Sequence, residues 1–203
     1  MLSLTAAFWI MVFIFAFVGM MRGWSKEVVV TLSVVLALFT INQFFPTIFG
    51  FVGWQQSPAI NPPPVPSPEL RRWEFAVMSA FLLALAFFGY QGPALARSSV
   101  GARLTRHDNI TDKVLGFLVG ALNGWLIVGS IWSFLEYQLV EASNWVRYSP
   151  EVPYPFDPTR IVRPAPELAA IIDNLPIPFL TQSPYILPLL LVGVVIFVLV
   201  VLV

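Results

Sequence analysis

The sequence has no cysteine, a single histidine and few charged residues. Only 11% of its 203 residues are charged, whereas soluble domains carry about 25%. The absence of cysteine excludes disulfides, thiolate metal sites and cysteine nucleophiles. The eleven basic and eleven acidic residues cancel, and this balance excludes binding to nucleic acid through net charge.

Common catalytic motifs are also missing. A Ser–His–Asp triad would have to use His107, the only histidine, and neither G-x-S-x-G nor H-E-x-x-H occurs in the chain. We therefore predict no catalytic residue, no cofactor and no metal site, and we expect a protein that is not an enzyme.

Long apolar runs dominate what the sequence does contain. Mean hydropathy is +0.80, and a helix of roughly 20 apolar residues can cross a bilayer. Five runs reach or approach that length: residues 1–21, 28–54, 75–96, 114–135 and 186–203. The predicted fold is an all-α polytopic membrane helix bundle with a four-helix core and a fifth, C-terminal transmembrane helix. No run has an ionisable residue at its centre, which argues against an ion-coupled transporter.

Pro46 interrupts the second run. Residues 28–45 could span the membrane alone, and residues 46–54 either continue a kinked helix or form a short interfacial helix. We favour the continued helix. Asn42 and Gln43 are expected to bond to a neighbouring helix or to carbonyls that Pro46 leaves free. Glu74 and Glu136, at helix ends, are expected to reach the headgroups.

Basic loops predict how the bundle is oriented. Arg22 and Lys26 lie in the loop 22–27, and four more basic residues lie in the loop 97–113. Because short basic loops stay in the cytoplasm, we predict an external N-terminus and a cytoplasmic C-terminus. The Arg71–Arg72 pair at the opposite border counts against this orientation.

The sequence also predicts what the loop 97–113 contacts and what the loop after the fourth run contains. Arg97, Arg103 and Arg106 alternate with apolar residues, so they are predicted to contact lipid headgroups. Residues 139–184 form a proline-rich extracytoplasmic loop, in which residues 166–174 are predicted to form a short helix.

The fourth run carries the most specific packing pattern. Gly116, Gly120 and Gly124 recur at a spacing of four, which allows close approach of a second helix. Asn123 falls about 20° from Gly116 around a helix, and Asp112 precedes Gly116 by one turn. We therefore predict a face of small residues on which Asn123 can bond across the contact.

The first run ends with Gly19 and Gly23 at the same spacing. Gly19 is predicted to contact the face from Gly116 to Gly124 or a partner helix, and packing within one fold is favoured over a dimer interface. A pore-lining role for Asn123 is disfavoured, because no charged residue is expected beside it at mid-membrane.

Two stretches resemble the colicin V production protein family. Residues 19–38 read GMMRGWSKEVVVTLSVVLAL and residues 112–129 read DKVLGFLVGALNGWLIVG. The family pairs a Gly–x–x–Arg–Gly–x–x–x–Glu hairpin with an Asp–x–x–x–Gly–x–x–x–Gly–x–x–x–Gly helix. The matching positions are Gly19, Arg22, Gly23, Glu27, Asp112, Gly116, Gly120 and Gly124. Asn123 stands where the family often has a basic residue.

The resemblance implies a four-helix core over residues 1–138, and the loop 139–184 and a C-terminal helix at 185–203 follow it. It also implies a bacterial inner-membrane protein linked to toxin export and envelope maintenance. We expect a non-enzymatic scaffold whose partners are the lipid bilayer and other integral membrane proteins or a second copy. The alternative is an accessory subunit of a larger, energy-transducing membrane complex, and a channel or transporter is less favoured.

Overall fold

The computed structural model describes residues 3–54, 63–95, 110–157, 161, 163–164 and 170–202. Four long helices form its body, and each is long and apolar enough to cross a membrane. They are α1 (Leu4–Arg22), α2 (Trp24–Phe51), α3 (Pro68–Leu95) and α4 (Ile110–Glu136). This architecture confirms the predicted all-α membrane bundle.

The first two helices are separated by a single residue. Ser3 caps the start of α1, because its hydroxyl oxygen accepts a hydrogen bond of 3.1 Å from the N–H of Ala6. Gly23 ends the helix with a φ of +85°, a left-handed conformation that favours glycine. Since α2 begins at Trp24, Glu27 lies in the first turn of α2 and not in a loop.

Helix α2 continues through Pro46 to Phe51, as in the favoured of the two sequence-based alternatives. Pro46 has no N–H to offer the carbonyl of Asn42, four residues earlier. That carbonyl instead accepts a hydrogen bond of 3.2 Å from the N–H of Ser143. The amides of Asn42 and Gln43 both donate to the Ser143 hydroxyl oxygen, at 2.9 and 3.1 Å. A residue far along the chain thus completes the bonding around Pro46.

Ser143 belongs to a β-hairpin that the sequence analysis did not predict. Strands β1 (Tyr137–Glu141) and β2 (Asn144–Arg147) pair antiparallel directly after α4. Ser143 turns the chain with a φ of +62°. Trp145 on β2 donates a hydrogen bond of 2.9 Å to the side-chain oxygen of Asn42. The hairpin is therefore fixed against α2 by its turn and by its second strand.

The core lies where α2 packs against α3 and α4, and α1 packs chiefly against α4. Completely buried side chains of the core cluster include Val30, Val34, Leu38, Ile41 and Leu82. Large apolar side chains on the outer faces are exposed instead, among them Trp9, Phe13, Phe87 and Phe88. Soluble monomers rarely expose apolar surface on this scale, so the outer faces are suited to hydrocarbon.

Three shorter helices follow the hairpin: α5 (Ala170–Asp173), α6 (Pro176–Leu180) and α7 (Ile186–Leu202). The predicted helix at 166–174 overlaps α5, and residues 166–169 lie outside the described residues. Helix α7 has 17 residues and packs against α2. It is apolar but shorter than the four long helices, so its crossing of the membrane stays a prediction.

Candidate functional site

Glycines allow α1 and α4 to meet backbone to backbone. A Cβ atom on Gly19 would overlap the carbonyl oxygen of Gly116 and stand 2.7 Å from the Cα of Gly120. A Cβ on Gly120 would stand 2.5 Å from the carbonyl oxygen of Phe15, and one on Gly124 would stand 2.7 Å from the Cβ of Phe15. Real Cβ atoms do not tolerate such distances, so the crossing requires residues without side chains.

Gly23 and Asp112 connect the α1–α2 turn to the start of α4. The N–H of Trp24 donates a hydrogen bond of 3.3 Å to Oδ1 of Asp112. Asp112 lies in the first turn of α4, where the positive end of the helix dipole stabilises a carboxylate. A Cβ on Gly23 would stand 2.5 Å from Oδ2 of Asp112. The conformation at Gly23 therefore demands glycine, and a Cβ there would also displace the Asp112 carboxylate.

Glu27 is completely buried, and its carboxylate pairs with Arg22. One guanidinium nitrogen of Arg22 donates to Oε1 of Glu27 at 2.7 Å, and the other donates to the carbonyl oxygen of Tyr90 at 2.9 Å. The Arg22 guanidinium carbon lies 4.4 Å from the centroid of the Tyr90 ring, within cation–π range. The Tyr90 hydroxyl donates to Oε2 of Glu27 at 3.3 Å. The ion pair thereby ties α3 to the α1–α2 turn.

Asn123 extends this network to α4 and is also completely buried. Its Nδ2 donates to the carbonyl oxygen and to Oε2 of Glu27, both at 2.9 Å. Its Oδ1 accepts a hydrogen bond of 2.7 Å from the Thr31 hydroxyl. The expectation that no charged side chain accompanies Asn123 is wrong, because α2 begins early enough to carry Glu27 into the bundle.

We name this network the polar clamp and define it by six residues. They are Arg22, Glu27, Thr31, Tyr90, Asp112 and Asn123. The clamp joins all four long helices at one end of the bundle. A buried ion pair pays for its desolvation only when further hydrogen bonds satisfy both ions, and Tyr90 and Asn123 supply those bonds. The hydrogen bonds and the ion pair of the polar clamp hold the helices in fixed positions relative to one another.

Most predicted site residues meet at this end of the bundle. The structure brings together Gly19, Arg22, Gly23, Glu27, Asp112, Gly116, Gly120, Asn123 and Gly124. Arg97, Arg103 and Arg106 lie outside the described residues. Thr31 and Tyr90 were not predicted. The position of Thr31, one helical turn after Glu27, was an available signal, whereas nothing near Tyr90 in the sequence indicates its partners.

A second buried carboxylate lies at the opposite end of the bundle. Glu136 was expected to reach the headgroups, and that expectation is wrong because its side chain is completely buried. It accepts hydrogen bonds from the Tyr154 hydroxyl and from two nitrogens of Arg163. Trp132 donates a hydrogen bond of 3.1 Å to the same hydroxyl. Burial, reinforced by the bond to Glu136, raises the pKa of Tyr154 above its usual value.

Arginines of α3 hold the segment that follows the hairpin. Arg71 donates a hydrogen bond of 2.7 Å to the carbonyl oxygen of Pro153, and Arg72 donates to that of Pro155. The Arg71 guanidinium carbon lies 4.6 Å from the centroid of the Tyr148 ring. Burial raises the pKa of Tyr148. Both arginines thus have partners within the protein.

The acidic side chains of the described residues do not form a metal site. Within the part of the chain that the structure describes, no group of three or more histidine, cysteine, aspartate or glutamate side chains could hold a metal ion. Glu27 and Glu136, whose side chains are completely buried, are each neutralised by an arginine. Glu74, which was expected to reach the headgroups, is also buried.

Comparisons with known proteins identify the family. Neither the curated proteins nor the solved structures contain a match to the chain. The family model described as colicin V production protein matches residues 4–158, a region that includes the four long helices, the polar clamp and the hairpin. Because this match covers well over half of the sequence, the chain belongs to the colicin V production protein family.

Proposed function

We propose that the protein is a non-enzymatic scaffold of the bacterial inner membrane that assists an envelope or toxin-export process through contacts between helices. One observation carries the proposal. The ionisable groups of the polar clamp bond to one another and to the backbone. Groups held in this way fix the helices relative to one another and are not positioned to exchange protons with a substrate.

The surfaces left for partners include the exposed apolar faces of α1 and α3. Phe13 and Phe87 are each 59% exposed, and Phe88 is 62% exposed. In hydrocarbon, such side chains gain nothing from burial itself, so a partner helix must fit them in shape. The partners in this proposal are the bilayer and other integral membrane proteins or a second copy of the chain.

We further propose that the end carrying the polar clamp faces the cytoplasm. Arg71 and Arg72, which count against this orientation by sequence, donate to carbonyls of the protein. Arg163 pairs with Glu136, and Arg147 pairs with Asp173 at 2.5 Å. Basic residues that are bonded within the protein are weaker evidence for a cytoplasmic location. These arginines therefore count less against placing the hairpin end of the bundle outside.

Export of a peptide toxin tests the proposal directly. Cells that lack the gene are complemented with the wild-type chain, with Gly120→Leu or with Gly193→Ala. We expect the wild type and Gly193→Ala to restore export and Gly120→Leu to fail, because a side chain at Gly120 separates α1 from α4. Export that proceeds equally without the chain would contradict the proposal.

A second candidate is an accessory subunit of a larger, energy-transducing membrane complex. It is favoured by α7, which lies beyond the matched family region and adds a helix against α2. Purification in mild detergent separates the two candidates. A stoichiometric complex with other proteins supports the accessory subunit, and a lone oligomer of this chain counts against it. Flux into protein-containing liposomes would indicate a channel or transporter instead.

A further inference from the structure

A small cavity lies between α2, α3, the end of α4 and the β-hairpin. All ten residues that line it are buried. Most of them are apolar, and the four with polar side chains are Arg71, Glu74, Tyr137 and Tyr148. Purely apolar cavities stay dry, whereas cavities lined by polar groups hold ordered water. The polar residues therefore decide what this cavity can bind.

Glu74 brings a carboxylate to the cavity and lies on the same face of α3 as Arg71, because the two are three residues apart. Glu74 is only 9% exposed. Unlike the carboxylates of Glu27 and Glu136, that of Glu74 forms no direct ion pair with an arginine of the described residues. It interacts with Arg71 only through a longer-range electrostatic attraction. A buried carboxylate needs hydrogen-bond donors, so a further donor is required here.

Arg71 has a complementary unused donor. One terminal guanidinium nitrogen, Nη2, donates to the carbonyl oxygen of Pro153 at 2.7 Å, and the guanidinium packs over the ring of Tyr148. The Nε of Arg71 is buried and has no hydrogen-bond partner among the described residues. Leaving a donor of a charged group buried without an acceptor is costly. The cavity is thus lined by one residue that lacks an acceptor and by another that lacks a donor.

The size of the cavity limits its occupant to one small molecule. The centre of a water molecule can move through about 10 Å³ of the cavity. A compact region of that volume is about 2.7 Å across, which is close to the separation of two hydrogen-bonded oxygens. One water therefore fills the cavity, and an organic ligand does not fit.

The charges around the cavity favour a neutral occupant. The Arg71 guanidinium repels a cation and the Glu74 carboxylate repels an anion. Burial, reinforced by the nearby Glu74 carboxylate, raises the pKa of Tyr148, so its hydroxyl keeps its proton. Water is neutral and both donates and accepts hydrogen bonds, so it matches this set of groups.

We propose that the cavity binds one structural water molecule that bridges Arg71 and Glu74. The water accepts a hydrogen bond from the Nε–H of Arg71 and donates one to the Glu74 carboxylate. Such bonds are nearly as favourable as direct ones. Because the water fixes the guanidinium, it positions Nη2 for the carbonyl of Pro153 and so holds the segment after the hairpin on α3. This site does not depend on the scaffolding role proposed above.

X-ray footprinting of the full chain in detergent tests the water site. X-rays convert water into hydroxyl radicals, and a bound water oxidises the side chains around it even where bulk solvent does not reach. Tyr148 and Tyr154 are matched, because each is 6% exposed and only Tyr148 lines the cavity. We expect X-rays to oxidise Tyr148 several times faster than Tyr154. Radicals made in bulk solvent by photolysis of hydrogen peroxide should oxidise both tyrosines equally slowly.

Two variants of Glu74 test which group holds the water. Glu74→Gln keeps an acceptor at the cavity, so the faster oxidation of Tyr148 by X-rays should persist. Glu74→Leu has no polar atom in its side chain, so the difference between Tyr148 and Tyr154 should disappear. Thermal unfolding shows whether each variant is folded. If Glu74→Leu does not fold, the comparison of the two radical sources in the wild-type chain still decides the proposal.

Three outcomes would overturn the proposal. Equal oxidation of Tyr148 and Tyr154 by X-rays would show that the cavity holds no bound water. Faster oxidation of Tyr148 by bulk radicals as well would show that ordinary solvent reaches this residue. An undiminished difference between the tyrosines in a folded Glu74→Leu protein would show that Glu74 does not hold the water.

Discussion

At the scale of single residues, the Arg22–Glu27 ion pair governs the polar clamp. Arg22→Gln is expected to lower the free energy of unfolding by about 3–5 kcal/mol, because it leaves the Glu27 carboxylate buried without a cation. Glu27→Gln should lower it less, since the Arg22 side chain is 22% exposed and can turn toward the headgroups. Unfolding in detergent measures both losses.

The double variant, with Arg22→Gln and Glu27→Gln together, completes a double-mutant cycle with the two single variants. Replacing both residues by glutamine removes both charges, so part of the loss seen in Arg22→Gln should be recovered. If the losses of the two single variants simply add, then the two side chains do not interact and the ion pair does not stabilise the clamp.

Asn123 provides a second prediction at the residue scale. Asn123→Ala is expected to lower the free energy of unfolding by about 1–2 kcal/mol, because it removes the bonds to Glu27 and Thr31. Ser130→Ala is the control on the same helix. Ser130 is equally buried, and its hydroxyl has no hydrogen-bond partner among the described residues. If Asn123→Ala and Ser130→Ala lower the free energy of unfolding equally, then the effect of Asn123→Ala comes from packing and not from its hydrogen bonds.

The sequence predicts only part of the polar clamp. Residue spacing was sufficient to predict one face for Asp112, Gly116 and Asn123, because helix geometry fixes that relation. It could not show that Glu27 turns inward, since this depends on a helix break at Gly23 that lasts a single residue. Tyr90 enters through a contact between helices that are distant in the chain.

At the scale of elements, two helix glycines should respond in opposite directions. Gly120→Ala is expected to lower the free energy of unfolding by about 1–3 kcal/mol, because its Cβ would stand 2.9 Å from the Cα of Gly19. Gly193→Ala should raise it by about 0.5–1 kcal/mol, because alanine is the better helix former and has space there. A similar change in both variants, measured by unfolding in detergent, would refute the close α1–α4 crossing.

The hairpin turn gives a further prediction for an element. Ser143→Ala removes the oxygen that Asn42 and Gln43 share, and it keeps a strained φ of +62°. Hydrogen exchange should become faster across β1 and β2 and stay unchanged in α1. Ser143→Gly relieves the strain but not the lost bonds, so it should fall between wild type and Ser143→Ala. Exchange rates unaffected by either change would show that the turn does not hold the hairpin.

The sequence predicts the four long helices of this fold but not the β-hairpin. Runs of apolar residues predict the four long helices, because hydrocarbon requires backbone bonds to close within each segment. The hairpin was missed because β1 follows α4 without a break and is buried on both faces over residues 137–140. Its anchor is the carbonyl of Asn42, and sequence alone does not indicate which donor will reach a carbonyl that a proline has left free.

At the scale of the whole molecule, the proposed orientation can be tested with single cysteines, because the chain has none. Both Glu151 and Lys113 are exposed, at opposite ends of the bundle. Glu151→Cys should react with a membrane-impermeant maleimide on intact cells, and Lys113→Cys should react only after the membrane is permeabilised. The reverse pattern would invert the proposed orientation and place the polar clamp outside.

The bond between Ser143 and Asn42 also constrains how the protein is made. The two residues are 101 positions apart in the chain, so α2 leaves the ribosome long before its missing donor is synthesised. Until residue 143 has been synthesised and has reached α2, the carbonyl ahead of Pro46 must rely on water or on the insertion machinery. Maturation of the first hairpin of helices is therefore coupled to the arrival of a late segment of the chain.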